Sequence, residues 1–292
     1  MTAPDDFCVL ILTHGRPHNQ KTITALEKHG YTGPWFLVVD DEDPTTDELR
    51  AIYGDERVVE FNRDEMASLF DEGFNFRPGE RSGVVYARAA AHTIAADLGF
   101  RWFIQLDDDY ERFEYRFDDH LVPTSKAIRS LDVIWGLMLD WFQSMPPEVV
   151  TIAMGQGGDY LGGPAANQVN AVKVKRKAMN SFLCDTHRPF MFPGRLNEDV
   201  NAYTREQRAG QVMATVLQVS LEQETTQAGE GGMVEIYLDE GTYVKSFYSV
   251  MHCPSAVQVV PMYAAKYQRL HHRVNYRACA PKILAAHHRK DR

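Results

Sequence analysis

Apolar and polar positions along the chain fall into blocks that predict alternating strands and helices. The first apolar run, in CVLILTHGRP, is short and closed by Gly15 and Pro17, which predicts a buried strand leading into a loop. His18 to His29 is amphipathic and predicts a helix; Trp35 to Val39 predicts a second buried strand that runs straight into Asp40 and Asp41. Strand, helix, strand in this order points to a parallel sheet with ligand groups at the carboxyl ends of its strands.

The pattern then continues. Val84, Ala87, Ala91, Ile94 and Leu98 recur at helical spacing between Ser82 and Gly99, with Gly99 as the stop. Trp102 to Leu106 predicts a strand that delivers Asp107, Asp108 and Asp109. Ile128, Leu131, Trp135, Met138 and Phe142 form the stripe of a longer helix over about Ser125 to Ser144, ended by Pro146 and Pro147. VVTIAM predicts another buried strand up to Met154. The glycine-rich GQGGDYLGGPAANQ reads as a loop, and it lacks the Lys-Ser/Thr of a phosphate-binding P-loop. NAVKVKR and VMATVLQVSLEQE alternate in the manner of half-exposed antiparallel strands, and FYSVM, before His252, is strand-like. With no internal repeat and no clear linker, 292 residues predict one domain.

Composition changes this picture little. The apolar fraction is 44% and the charged fraction 24%, as in globular proteins. No apolar run approaches the roughly 20 residues of a membrane span, and the acidic start MTAPDDF is unlike a signal peptide, so a cytoplasmic protein without a membrane partner is expected. Cys8, Cys184, Cys253 and Cys279 are scattered singly and read as reduced thiols. The net charge of -9 argues against nonspecific nucleic-acid binding, yet basic residues cluster. One run is KVKRK, with Lys173, Lys175, Arg176 and Lys177. The other is the C-terminal segment, with Lys266, Arg269, Arg273 and Arg277. Either run can follow a phosphate backbone; either can also be a solvated face.

The three aspartates raise the chemical question. In an extended strand end Asp107 and Asp109 project to one side and Asp108 to the other. Two converging carboxylates suit a hard divalent cation, which offsets their repulsion and leaves positions for phosphate oxygens. Asp40 or Asp41 either accepts hydrogen bonds from a nucleoside or is one of a turn-forming Asp pair. Arg88 shares the apolar stripe of its helix with Val84 and Ala91, so it either meets an anion, a nucleotide diphosphate or one of the aspartates, or snorkels at the stripe's edge. In PFMFPGRLNEDVNAY, Glu198 and Asp199 are either favourable charges at a helix start or a general base. His252 is either structural or a ligand that completes a metal site. For Asp108 the expected role is a hydrogen bond that fixes the loop, or a contact to a donor sugar.

The order of these motifs resembles glycosyltransferases of the GT-A fold, and more narrowly the TET/JBP-associated DNA glycosyltransferases, the phage and kinetoplastid group that includes the base J glucosyltransferase. A strand ending in Thr-x-Gly-Arg-Pro, a strand ending in Asp-Asp, an Ala-Arg helix, LDDD, PGRLNED and a late strand with histidine carry the resemblance over about Cys8 to Pro261. It implies a Rossmann-like α/β fold: a mostly parallel central sheet flanked by helices, with an antiparallel-leaning acceptor half. Residues 1–115 would form the nucleotide-sugar half, 116–264 the acceptor half and 265–292 a basic tail.

It further implies a metal-dependent transfer from a UDP-sugar to the hydroxyl of a 5-hydroxymethylpyrimidine, foremost 5-hydroxymethylcytosine, in double-stranded DNA. Carried over, Asp107, Asp109 and His252 would hold Mn2+ or Mg2+. Thr13, Arg16, Asp40, Asp41, Arg88, Asp107 and Asp108 would bind the donor. Asp199, or failing it Glu198, would take the acceptor proton if the reaction inverts; a retaining reaction needs no such base. Where the family pattern has Ala-Arg-Asn, this chain has Ala87-Arg88-Ala89, so a donor contact by that Asn is not expected here. The rival functions are a GT-A enzyme acting on a glycan, lipid or protein, a non-catalytic DNA-binding module of the same fold, and a nucleotidyltransferase.

Overall fold

Strand β1 (Phe7–Leu12) is buried along its whole length, and its period-two alternation sets the layers of the molecule. Phe7, Val9 and Ile11 enter one apolar cluster; Cys8 and Leu10 enter the other. A strand buried on both faces has to be covered by helices on both. The first face is covered by α1 (Lys21–Lys28), α2 (Thr46–Tyr53) and α5 (Leu131–Gln143), through Ile23, Leu26, Leu49, Trp135 and Phe142. The second is covered by α3 (Arg63–Ala67), α4 (Val85–Asp97) and α6 (Glu198–Ala209), through Met66, Ala91, Ile94, Ala202 and Tyr203. The computed structural model describes residues 4–72, 83–120, 122–160, 172–174, 178–179, 181–223, 244–264 and 267–279.

Besides β1, the sheet contains β2 (Trp35–Asp40), β3 (Val58–Phe61), β4 (Trp102–Asp107), β5 (Tyr110–Phe117), β6 (Pro123–Ala127), β7 (Val149–Gln156), β8 (Val172–Lys173), β9 (Ser181–Asp185) and β10 (Val212–Gln223). Their order is β3-β2-β1-β4-β9-β7-β10-β5-β6, with β8 paired to β10. β3, β2, β1, β4, β7, β10 and β6 run in one direction, and β9, β5 and β8 run against them. The result is a mixed α/β protein with a large, mostly parallel central sheet between helices. Its antiparallel pairs fall on the side that residues 110–223 build.

Local differences from the sequence expectation have physical causes. The long helix begins at Leu131, where Ser130 accepts from Val133 N at 3.4 Å as an N-cap. Residues Pro123–Ala127 are instead the edge strand β6 on β5, and Ile128 N donates to Phe113 O. The VMATVLQVSLEQE segment is a long interior strand, parallel to β7 on one side and antiparallel to β5 on the other. FYSVM lies in a helix, α7 (residues 244–252). Short apolar runs fit either period, but here Tyr248, Ser249 and Cys253 are buried while Phe247 and Met251 face out, a helical division. The expected C-terminal tail starts as structure: β11 (Val257–Ala264) pairs with β12 (Tyr267–Val274), and α8 (Tyr276–Cys279) follows and adds Cys279 to the second cluster. Among the described residues no helix is long and apolar enough to cross a membrane.

Two turns require glycine for different reasons. Gly30 has φ +68° and a Cβ there would lie 2.5 Å from the Arg129 carbonyl oxygen, whereas Gly99 has φ +84° and open space around it. Gly99→Ala should therefore cost about 1 kcal/mol, the left-handed penalty alone. Gly30→Ala should cost roughly 2–4 kcal/mol because backbone must also shift. Urea unfolding followed by tryptophan fluorescence measures the difference, and equal midpoints would show that the turn before β2 yields.

Candidate active site

Register brings the polar site together. Leu12 pairs with Val38 on one side and Asp107 on the other, so β1, β2 and β4 release their following residues at one edge of the sheet. There Thr13 Oγ1 donates to Asp108 Oδ2 at 2.7 Å, Arg16 Nη1 donates to Asp108 Oδ1 at 2.9 Å, and Gln20 Nε2 donates to Thr13 Oγ1 at 2.8 Å. Thr22, in the first turn of α1, closes the clasp. Its hydroxyl donates to Asp107 O at 2.6 Å and accepts from Tyr110 N at 3.0 Å, and its amide donates to Asp108 O at 3.1 Å. Asp108 thus has the loop-fixing hydrogen bonds expected of it.

A second network surrounds the end of β2. Asp40 receives Arg63 Nη2 and the Glu42 amide, and His14 Nδ1 lies 2.8 Å from its other oxygen. Burial alone would raise the Asp40 pKa, but the bond to His14 and the positive charges of His14 and Arg63 bring it below the usual range. The same bond raises the His14 pKa. Asp41 accepts from Asn62 Nδ2 at 2.6 Å and from Arg63 N at 3.0 Å, at the start of α3. Asp43 accepts from Gly15 N at 2.9 Å and from the Thr45 amide at 2.8 Å.

Arg88 links the two halves. Its side chain is fully buried over the Phe182 and Phe192 rings; Nη2 donates to Asp107 Oδ1 at 2.8 Å and Nε to Glu198 Oε1 at 3.3 Å. Of the two anions expected for this arginine, the structure supplies an aspartate and adds Glu198. Even so, burial pushes the Asp107, Asp108 and Asp109 pKa values above the usual carboxyl range. Glu198 is raised too, by burial and by the adjacent Asp199 charge, against Arg88. Asp109 accepts from Gln223 Nε2 at 3.1 Å, and its other oxygen is buried without a hydrogen-bond partner among the described residues.

Glu198 and Asp199 owe their position to one unusual residue. Asn197, just before α6, has φ 53° and ψ 41°, a left-handed conformation that Asn tolerates better than most side chains. Its side chain donates to Lys245 O at 2.7 Å and to Ser249 Oγ at 3.2 Å on α7. Asn201 Nδ2 donates back to Pro193 O at 3.0 Å and Leu196 O at 2.9 Å, which folds the PGRLN turn onto the helix.

His252 does not join Asp107 and Asp109: among the described residues no three His, Cys, Asp or Glu side chains are grouped as around a metal. It is carried by α7 rather than a strand, and its ring packs on Tyr248 at 5.2 Å, with its Nε2 beside Gly194. Burial lowers its pKa. Of the expected DNA-contacting residues, Lys173 is on β8, Arg269 and Arg273 are on β12, and Arg277 is on α8. Lys175, Arg176, Lys177 and Lys266 lie outside the described residues.

Sequence patterning missed His14, Asp43, Arg63, Thr22 and Gln223. His14 and Asp43 carried a readable signal, each within a few residues of a buried strand's carboxyl end. Arg63 and Gln223 carried none.

Fold and site together define an α/β protein whose polar centre lies beyond the carboxyl ends of its parallel strands. The chain belongs to the TET-associated glycosyltransferase family, whose model matches residues 7–232, and it is a glycosyltransferase. A search of the curated proteins returns no match. Among solved structures it is similar to glucosyl-3-phosphoglycerate synthase from Mycobacterium tuberculosis in complex with Mn2+, UDP and phosphoglyceric acid. Identity there is 12% over 92% of this chain and 86% of that one, with a TM-score of 0.46. The same enzyme with Mg2+ and UDP gives 10% identity, coverage of 92% and 87%, and a TM-score of 0.44.

Arg88→Met keeps much of the volume but leaves two buried carboxylates without their cation, which should cost about 3–5 kcal/mol near pH 7. Without the cation, Asp107 and Glu198 hold protons still more tightly in the folded state, so stability is retained at low pH and lost as pH rises above the unfolded carboxyl range. The deficit in urea titrations should accordingly be smaller near pH 5 than near pH 7.5. A pH-independent deficit would assign the arginine a packing role alone.

Proposed function

We propose that this glycosyltransferase is a GT-A-type enzyme that moves a sugar from a UDP-sugar to the hydroxymethyl oxygen of a 5-hydroxymethylpyrimidine, foremost 5-hydroxymethylcytosine, in double-stranded DNA. One observation carries the proposal: Arg88 holds the Asp-Asp-Asp turn and the Asn-Glu-Asp helix start together. Those are the two motifs that the family resemblance assigns to donor and acceptor, in a chain that belongs to the family.

Asp107 and Asp109 fit a hard divalent cation as two of its ligands. Both are acidic oxygen donors, and the partnerless Asp109 oxygen is in want of positive charge. Mn2+ or Mg2+ held there would supply positive charge against the departing diphosphate. The rest falls to the protein. In this reading Asp40, oriented by His14 and Arg63, accepts hydrogen bonds from the nucleoside, while Thr13 and Arg16 hold both oxygens of Asp108. Asp199, beside the Arg88-bound Glu198 at the start of α6, in the same reading takes the acceptor proton in an inverting reaction. A base in duplex DNA would be turned out of the stack to reach such a site, at a cost of a few kcal/mol that phosphate contacts offset.

The test incubates the protein with Mn2+, a panel of UDP-sugars and duplex DNA containing hydroxymethylcytosine or hydroxymethyluracil, then weighs the nucleosides. A hexose-sized gain is expected. A nucleotide-sized gain would make it a nucleotidyltransferase, and UDP release with glycans but not DNA would move the acceptor to the glycan class. Asp199→Asn should lower kcat by roughly 10²–10⁴-fold with UDP binding intact; unchanged turnover would remove Asp199 from the reaction.

Metal binding should also depend on pH. Because burial keeps protons on Asp107 and Asp109 further up the pH scale than usual, a cation must displace them. Thermal stabilisation by Mn2+ with UDP should thus be larger near pH 7.5 than near pH 5.5, and a flat profile would place the cation elsewhere.

A further inference from the structure

Helix α6 is the meeting point of two basic segments that lie about a hundred residues apart in the chain. On one side Tyr203 Oη donates to Val174 O at 2.6 Å and Gln207 Nε2 donates to the same oxygen at 3.3 Å, which anchors the end of the strand carrying Lys173. On the other, the Tyr203 ring meets Tyr276 edge-on at 5.1 Å, which anchors α8 with exposed Arg277. Along the carboxyl half of α6, on the face that carries Asn201, Arg205 and Arg208, a cavity of about 350 Å³ opens, lined also by Pro193, His252 and Cys253.

The lining is rich in donors to an anion. The Arg205 side chain is 52% exposed and its ion pair with Glu206 is loose, at 3.8 Å. Arg208 has no carboxylate partner among the described residues, and His252 lines the cavity with its Nε2 buried beside Gly194. Guanidinium forks match phosphate oxygens in geometry as well as charge. The helix dipole disfavours an anion at this end of α6, so the arginine pair has to supply the opposing charge. At about 1.5 Å per residue, Arg208 lies roughly 15 Å along the helix from Glu198. That corresponds to about four steps of a duplex strand at ~3.4 Å each.

We infer that the Arg205–Arg208–His252 cavity is a phosphodiester site that grips the acceptor DNA backbone a few nucleotides from the modified base. The inference rests on the DNA reading of the acceptor. It also places His252 in the wall of that cavity rather than beside Asp107 and Asp109.

The experiment follows binding of a labelled hydroxymethylcytosine duplex by fluorescence anisotropy across a potassium chloride series. It compares the wild-type protein with the double variants Arg205→Ala/Arg208→Ala and Arg205→Lys/Arg208→Lys. The alanine pair should weaken binding roughly tenfold or more at low salt and make the slope of log K against log salt shallower by about one to two. The lysine pair should restore most of the slope, and the thermal shift produced by UDP should be the same in all three proteins.

Unchanged affinity and slope in the alanine pair, with the wild type still glycosylating DNA, would overturn this inference and leave the proposed function standing. A wild type that neither binds nor glycosylates DNA would overturn both. Stabilisation by inorganic phosphate that the alanine pair loses while keeping full DNA affinity would make the cavity a free-phosphate site and overturn the DNA assignment.

Discussion

A buried guanidinium cannot stay charged in an apolar layer unless anions come to it, and that requirement organises this protein. Arg88 is sealed between the rings of Phe182 and Phe192 and the end of β4, and two carboxylates from positions 107 and 198 meet it there. The pairing has little meaning as a gain in stability, since desolvating three charges costs about what their attraction returns. Its value is geometric. It fixes the strand end that presents three aspartates and the helix start that presents Glu198 and Asp199 in one relation to each other.

The acidic groups at the sheet edge are treated in two ways. Asp40 is paired with cations of the chain itself, which hold its pKa below the usual carboxyl range. Asp107, Asp108 and Asp109 are crowded and buried beyond what Arg88, Arg16 and Thr13 compensate, and they hold protons more tightly than ordinary carboxyls. The first arrangement suits a ligand that brings hydrogen-bond donors, the second a ligand that brings positive charge. The proposed nucleoside and cation divide along the same line.

The parts legible in the sequence are those whose physics is local. β1, β2 and β4 were readable because unbroken apolar blocks ended in polar turns, and α4 because its stripe carried an arginine that had to find an anion. Segments that depend on remote partners were not. Pro123–Ala127 looks like a helix start until β5 offers it an edge, and the run before His252 looks like a strand until α6 gives it a helical face to cover. In the site, the carboxylates were visible as clustered charges, whereas Arg63 and Gln223 are ordinary residues made functional by chain that returns from 23 and 114 positions away. His252 shows the converse: imidazole chemistry was recognised, but only packing decides which anion or cation it serves.

The hydrogen bond from Gln223 to Asp109 has a bearing on how the molecule is made. A ribosome that has released residues 1–115 has already produced β1 to β4 and α1 to α4, but not α5 and α6, which complete the cover of the two faces. Arg88 and the acid turn then still lack the partners supplied by positions 198 and 223, which emerge much later. Until then Arg88 and Asp109 have fewer restraints. The order of synthesis therefore delays the finished polar edge of the sheet until the chain around positions 198 and 223 has been made.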